Sequence, residues 1–296
     1  MGEMKTILAA LDLEAGSDVV LDRAVQLAGQ QQAQLILLHV LNVDGLAEAA
    51  FHAGANEGEL RKRLEKGARY AIEALVANRY LNIEVDVSVA FGVPHDVITR
   101  VACERAVDIM VIGPAQAMSL KEKILGSTAD RVLRTASTPV LVVRRPSAKP
   151  YMHVAAAIDF SPQAEEAVRQ VCRMVPEATL RLIHVFNIPL PFQQAMFRAG
   201  SSQAAIDQYR SAQAKKIRNS LEVLASNLVV DGLLSISVID GEPATVLIGL
   251  SKQSDIDLLA LGSHGRGTVM QALLGSVAQR VLREAGCDVL VTRTAS

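Results

Sequence analysis

Residues 258–277 read LLALGSHGRGTVMQALLGSV, and the fold turns on how that stretch is parsed. The apolar run 258–261 has the make-up of a buried strand and stops at Gly262. Gly265 follows after two residues. Nine more (266–274) lead to Gly275 and Ser276, where apolar spacing becomes helical through Val277, Val281 and Leu282. Strand, glycine loop and helix start form an arrangement suited to an anion. Glycines let backbone N–H groups approach a ligand, and a helix start offers unpaired donors with partial positive charge. A tight connection that is merely glycine-rich fits the same letters, so the loop alone decides nothing.

Outward from this stretch the chain repeats itself. The run 5–11 (KTILAAL) closes at Asp12 and 152–158 (MHVAAAI) closes at Asp159, an offset of 147. LILLHV ends at Val40 and LRLIHV at Val185; Phe51-His52-Ala53-Gly54 answers Phe197-Arg198-Ala199-Gly200; VDIMVIG (107–113) answers IDLLALG (256–262). Gly126-Ser127 answers Gly275-Ser276, and RVLRTASTPVLVVR answers RVLREAGCDVLVTR. Ordered matches at nearly constant offset mean two copies of one unit, 1–145 and 151–296, joined across the proline-punctuated 145–150.

Within each copy, short Val/Ile/Leu runs alternate with segments of helical periodicity, notably 17–30, 59–78 and 203–227. Continuously apolar strands suit a parallel sheet covered on both faces. The expectation is α/β: two doubly wound domains, each a five-stranded parallel sheet in the order 3-2-1-4-5, flanked by helices. Ligands of such sheets bind beyond the carboxyl ends of the strands, where Asp159, Val185 and Gly262 fall.

Composition excludes several classes. The 30 basic and 31 acidic residues nearly cancel, and aromatics are 3% with no tryptophan, which argues against a nucleic-acid surface or a base-stacking platform. No apolar run reaches the length of a membrane span, and Asp12 and Glu14 come too early for a secretory core. Cys103, Cys172 and Cys287 are scattered without metal or disulfide spacing, which points to a cytoplasmic protein. No GxxxxGKS/T, HExxH or GxSxG occurs, and no GxGxxG follows the first strand of either copy. His39 and His184 recur at equivalent strand positions, as packing residues do. Neither a catalytic group nor a metal ligand set stands out. The reading is binding, with at most slow hydrolysis.

On these motifs the second copy resembles the nucleotide-binding subclass of the universal stress protein family, matched by Gly262, Gly265, Gly275 and Ser276 together with Asp159 and Val185. The resemblance spans nearly the whole chain as two copies. It implies ATP, with or without Mg2+, held by Ala157, Asp159, Val185, Leu261, Gly262, Gly265, Arg266, Gly275, Ser276 and Val277. Asp159 and Val185 would lie by ribose and adenine, and the amides of Ser276 and Val277 by phosphate. Arg266 is equally well read as a solvated surface arginine, His264 as a packing residue and Asp159 as a helix cap. The first copy keeps Asp12, Val40, Gly113, Gly126 and Ser127 as a degenerate second site. It carries Pro114 after the first glycine and Gln116 for the second. Lys121 and Lys123 do not restore the loop.

The resemblance also implies that the last strands, near 140–143 and 289–292, pair the two copies inside one chain; a further homodimer is compatible with it. The long connections 41–58 and 186–200, with Phe51, Pro191, Phe192, Met196 and Phe197, suit lids, subunit contacts or simple packing. The expected role is that of a nucleotide-dependent stress-response regulator. Two rivals stand beside it: a scaffold or binder of another small ligand, and a nucleotidyl-transferring enzyme, for which DFSPQ (159–163) offers no signature.

Overall fold

The computed structural model describes residues 3–293 apart from 15, 53–55, 78, 80–81, 115–124, 147–148, 229–233 and 266–273. Arg266, Gln116, Lys121 and Lys123 therefore lie outside the described residues. The first copy runs β1 (Thr6–Ala10), α1 (Ser17–Gln31), β2 (Gln34–Leu41), α2 (Leu46–His52), α3 (Glu57–Ala77), β3 (Val85–Phe91), α4 (Pro94–Glu104), β4 (Ile109–Ile112), α5 (Ser127–Thr135) and β5 (Val140–Val142). The second runs β6 (His153–Ala157), α6 (Pro162–Met174), β7 (Thr179–Phe186), α7 (Leu190–Arg198), α8 (Gln203–Asn227), β8 (Leu234–Asp240), α9 (Pro243–Ser251), β9 (Leu258–Gly262), α10 (Ser276–Glu284) and β10 (Asp288–Thr292).

The strands form one ten-stranded sheet, β3-β2-β1-β4-β5-β10-β9-β6-β7-β8. Within each half the order is the expected 3-2-1-4-5, and every pairing there is parallel. Where the halves meet, β10 runs antiparallel to β5, with Val289 opposite Val142 and Val291 opposite Val140.

The pleat explains why the strands are apolar at every position. Ile7 and Ala9 of β1 point into one core layer, with Leu21 of α1, Ile72 of α3, Val168 of α6 and Leu221 of α8. Leu8 points into the other, with Ile98 of α4, Leu133 of α5, Leu247 of α9 and Leu282 of α10. Alternate side chains face opposite ways along a strand, so a strand covered on both sides has no solvent face to mark with polar residues. Each layer draws residues from both copies, so the core crosses the boundary between them.

Two expectations need correcting. The connections 41–58 and 186–200 are not open loops: they contain α2 and α7, which leave Phe51 82%, Leu190 65%, Phe192 46% and Phe197 48% exposed. The periodic segment read as 59–78 begins two residues earlier, as α3. Among the described residues no helix is long and apolar enough to cross a membrane.

Candidate functional site

At the carboxyl edge of the C-terminal half, β6, β7 and β9 end around a cavity of about 340 Å³. Ala157, Asp159, Val185, Leu261, Gly262, Gly265, Gly275, Ser276 and Val277 all line it. Of the residues singled out in the sequence for this site, only Arg266 is missing, because it lies outside the described residues. Pro243 and Leu247 of α9, and Ser263 and His264 between the glycines, also line it, though the motif does not mark them. The Glu242-Pro243 helix start, placed just after β8, was the one signal that could have flagged the α9 wall.

The glycines are required by close approach. A Cβ on Gly262 would stand 2.8 Å from Gln163 Cβ and 2.9 Å from the Ala164 nitrogen, so the β9 end and the α6 start could not meet. A Cβ on Gly265 would stand 2.9 Å from Asp159 Oδ2. The carboxylate therefore lies directly against the glycine loop. Its other oxygen accepts the Ser161 N–H at 2.9 Å, so Asp159 is held while Oδ2 faces the loop.

Gly275 opens α10 in an extended conformation, with no side chain capping the first turn. The Gly275 N–H is itself satisfied by the Ser263 carbonyl at 2.8 Å. The helices beside it are treated differently. Ser161 caps α6 by accepting the Ala164 N–H at 3.2 Å, and Glu242 caps α9. A helix start at a cavity with no side-chain cap leaves its donors and its positive end for a ligand.

His264 is buried, at 8% exposed, with Nδ1 3.0 Å from Ser263 Oγ and Nε2 without a partner. Burial, followed by the nearby Arg293 charge, holds its pKa below the ordinary imidazole value, so the ring is neutral at neutral pH. Ser263 also donates its N–H to the Thr292 carbonyl at 2.8 Å, which ties the loop to β10.

The N-terminal half has a larger cavity at the equivalent edge, about 570 Å³, lined by Asp12, Val40, Gly113, Gly126 and Ser127 among others. Asp12 Oδ1 is occupied by the Ser17 hydroxyl at 2.6 Å and the Glu14 N–H at 3.1 Å. His39 and His184 play matching parts, with Nδ1 2.8 Å from the Leu11 carbonyl and 2.7 Å from the Ile158 carbonyl. Each ties the end of its first strand to its second.

The sequence profile of the universal stress protein family matches residues 3–144 and again residues 150–293. A universal stress protein of Mycolicibacterium smegmatis is 26% identical over 300 residues, covering 97% of this chain and 96% of that protein. One from Methanocaldococcus jannaschii is 27% identical over 154 residues, which is 48% of this chain and 95% of the relative. Among solved structures, a universal stress protein from Archaeoglobus fulgidus has a TM-score of 0.66 at 20% identity, with 98% of each chain covered, which is a likeness of fold.

Proposed function

The chain belongs to the universal stress protein family, and from that premise we propose that its C-terminal copy binds ATP and that the protein is a nucleotide-dependent regulator of the stress response. One observation carries this reading: nine residues drawn from four separate segments line a single cavity that ends on a helix start without a side-chain cap.

In this reading the amides of Ser276 and Val277 and the Ser276 hydroxyl hold phosphate oxygens, with Arg266 adding charge. Asp159 takes ribose hydroxyls and the Val185 backbone takes the adenine edge, while Ala157 and Leu261 supply apolar wall. Gly262 and Gly265 keep the chain thin enough for the nucleotide to pass. Magnesium arrives with the triphosphate; among the described residues no cluster of three or more His, Cys, Asp or Glu would hold it separately. No general acid/base pair is assigned, so hydrolysis is at most slow and the role is regulatory. The working units are 1–145 and 151–296. They act as a pair joined through their last strands, in the cytoplasm, with the exposed aromatics of α2 and α7 available for a homodimer.

Native mass spectrometry of the purified protein, followed by ATP titration, tests this. One adenine nucleotide per chain is expected, lost in Gly275→Val and in Gly265→Val, with circular dichroism used to establish that each variant is folded, since a Cβ at Gly265 would stand 2.9 Å from Asp159 Oδ2. Gly275 occupies ordinary extended backbone, so valine there forces no unfavourable φ, although its Cβ would stand 3.3 Å from the Ser263 carbonyl oxygen and needs a small local shift. Retained affinity in both variants, or no binding at millimolar ATP, would overturn the proposal.

A further inference from the structure

The first copy reaches across the junction with two arginines, and both end on the helices that wall the C-terminal cavity. Pro243 and Leu247 of α9 belong to that wall, as do Ser276, Val277 and Ala278 of α10. Each helix starts at the cavity and runs nine residues away from it, about 14 Å at the usual rise of about 1.5 Å per residue. At the starts, the Glu242 carboxylate that caps α9 also receives Arg280 of α10 at 2.8 Å. At the far ends, Arg144 donates to the Leu282 carbonyl in the last turn of α10 and, at 3.4 Å, to the Ala285 carbonyl just beyond it. Arg145 donates to the Gly286 carbonyl and, at 3.2 Å, to that of Ser251, the last residue of α9. The final carbonyls of a helix have no partner within it and form its negative end, so a guanidinium meets both needs.

The two far ends also approach each other closely. A Cβ on Gly286 would stand 3.0 Å from the Ser251 carbonyl oxygen and 2.8 Å from Lys252 Cγ, and the Gly286 N–H donates to Ser251 Oγ at 3.0 Å. Asp288 fixes the arginines in turn by accepting their backbone N–H groups at 2.6 and 3.1 Å. Helices α9 and α10 are therefore joined at the cavity and joined again at the opposite end, where the first copy supplies the joint. Close-packed interiors transmit displacement, so a shift at the arginines reaches the helix starts.

The arrangement has a direction. Arg293, the counterpart of Arg144, donates to the Arg134 carbonyl near the end of α5. Arg145, however, corresponds in sequence to Thr294, and Ser251 to Ala102. The pair of arginines thus faces the copy with the complete glycine motif.

We propose that Arg144 and Arg145 are positioning residues for the C-terminal cavity: through the far ends of α9 and α10, the first copy sets how tightly the second holds its nucleotide. The nucleotide in this inference rests on the reading of that cavity as an ATP site, whereas the joint between the helices does not.

Arg144→Met and Arg145→Met in the full chain test it. Arg173→Met is the comparison, because Arg173 of α6 pairs with Asp108 across the same junction at 3.0 Å, on the opposite face of the sheet from α9 and α10. Circular dichroism establishes that each variant is folded, and urea unfolding gives its loss of stability. ATP affinity measured by calorimetry is expected to fall about fivefold or more in both arginine variants and to stay within about twofold in Arg173→Met. Hydrogen exchange of the ligand-free chain supplies a second readout. The Arg144 side chain bonds to α10 and the turn after it, yet Arg144→Met is expected to speed exchange in α9 as well, which loss of a local helix cap would not do. Unchanged ATP affinity in both arginine variants, or an equal fall in Arg173→Met, would overturn the proposal. So would exchange that rises in α10 alone. If the unmodified chain binds no ATP, the reading of the cavity falls, and the exchange in α9 and α10 decides the joint by itself.

Discussion

Cys287 shows how strongly position governs the chemistry of a side chain. It is fully buried just before β10, and burial followed by the neighbouring Asp288 charge pushes its thiol up to about 12. The thiolate is the reactive form, so this cysteine is inert at neutral pH, whereas Cys103 lies exposed on α4. Alkylation at pH 8 followed by peptide mass spectrometry should label Cys103 in the native protein and leave Cys287 unmodified until denaturant is added. Labelling of Cys287 at the native rate of Cys103 would show that the start of β10 opens readily. At this scale the sequence disclosed residues that act through type and spacing, such as Asp159 and Gly265. It did not disclose Arg144, whose carbonyl partners lie 138 and 141 residues away. No local pattern records contacts of that kind.

Among the elements, α9 depends on an unusual cap. Glu242 accepts the N–H groups of Ala244 at 3.1 Å and Thr245 at 2.8 Å, and the Thr245 hydroxyl at 2.5 Å. Arg280 of α10 reaches the same carboxylate at 2.8 Å, so the cap also joins the two helices beside the C-terminal cavity. The Thr245 hydroxyl, above all, lowers the Glu242 pKa from 4.5. A depressed carboxylate contributes stability above its unfolded pKa and loses it as pH falls through the folded value. Glu242→Ala should therefore cost about 1 kcal/mol at pH 7, the usual scale of a lost cap. In urea unfolding that penalty should shrink as the pH is taken below 4.5. An equal penalty at both pH values would mean that the carboxylate charge plays no part. Helix α8 was legible in the sequence to the residue, because 25 residues carry the helical repeat many times over. Helix α2 has only seven residues, too few for that repeat to register, and α7 buries none of its nine, so it carries no core-facing stripe.

For the whole molecule, the informative positions are those where the two copies disagree. Asp288 accepts the backbone N–H groups of Arg144 at 2.6 Å and Arg145 at 3.1 Å, and the Tyr151 hydroxyl at 2.5 Å. Arg23 of α1 lies over the Tyr151 ring, 3.9 Å from its centre, with Nε 3.4 Å from Asp288 Oδ2. Arg23 and Asp288 are 3% and 1% exposed, and burial pushes the Tyr151 pKa well above its ordinary value, so the phenol stays a donor. At the offsets that relate the copies, Arg23 corresponds to Gln170, Asp288 to Pro139 and Tyr151 to Met4. The polar cluster therefore exists on one side of the junction only. The sequence showed the repeat but gave no reason to prize these departures, since each looks ordinary alone and their meaning lies in the pairing of β5 with β10. Removing one partner of a buried ion pair leaves the other charge without compensation, at a cost of about 3–5 kcal/mol. Arg23→Met and Asp288→Ala should each lower the unfolding free energy measured in urea by an amount of that order. The double variant should lose clearly less than the sum, by roughly 0.5–3 kcal/mol, because the two residues share one interaction. Strict additivity would show that Arg23 and Asp288 act independently, and the junction would then rest on the β5–β10 ladder and the two shared core layers.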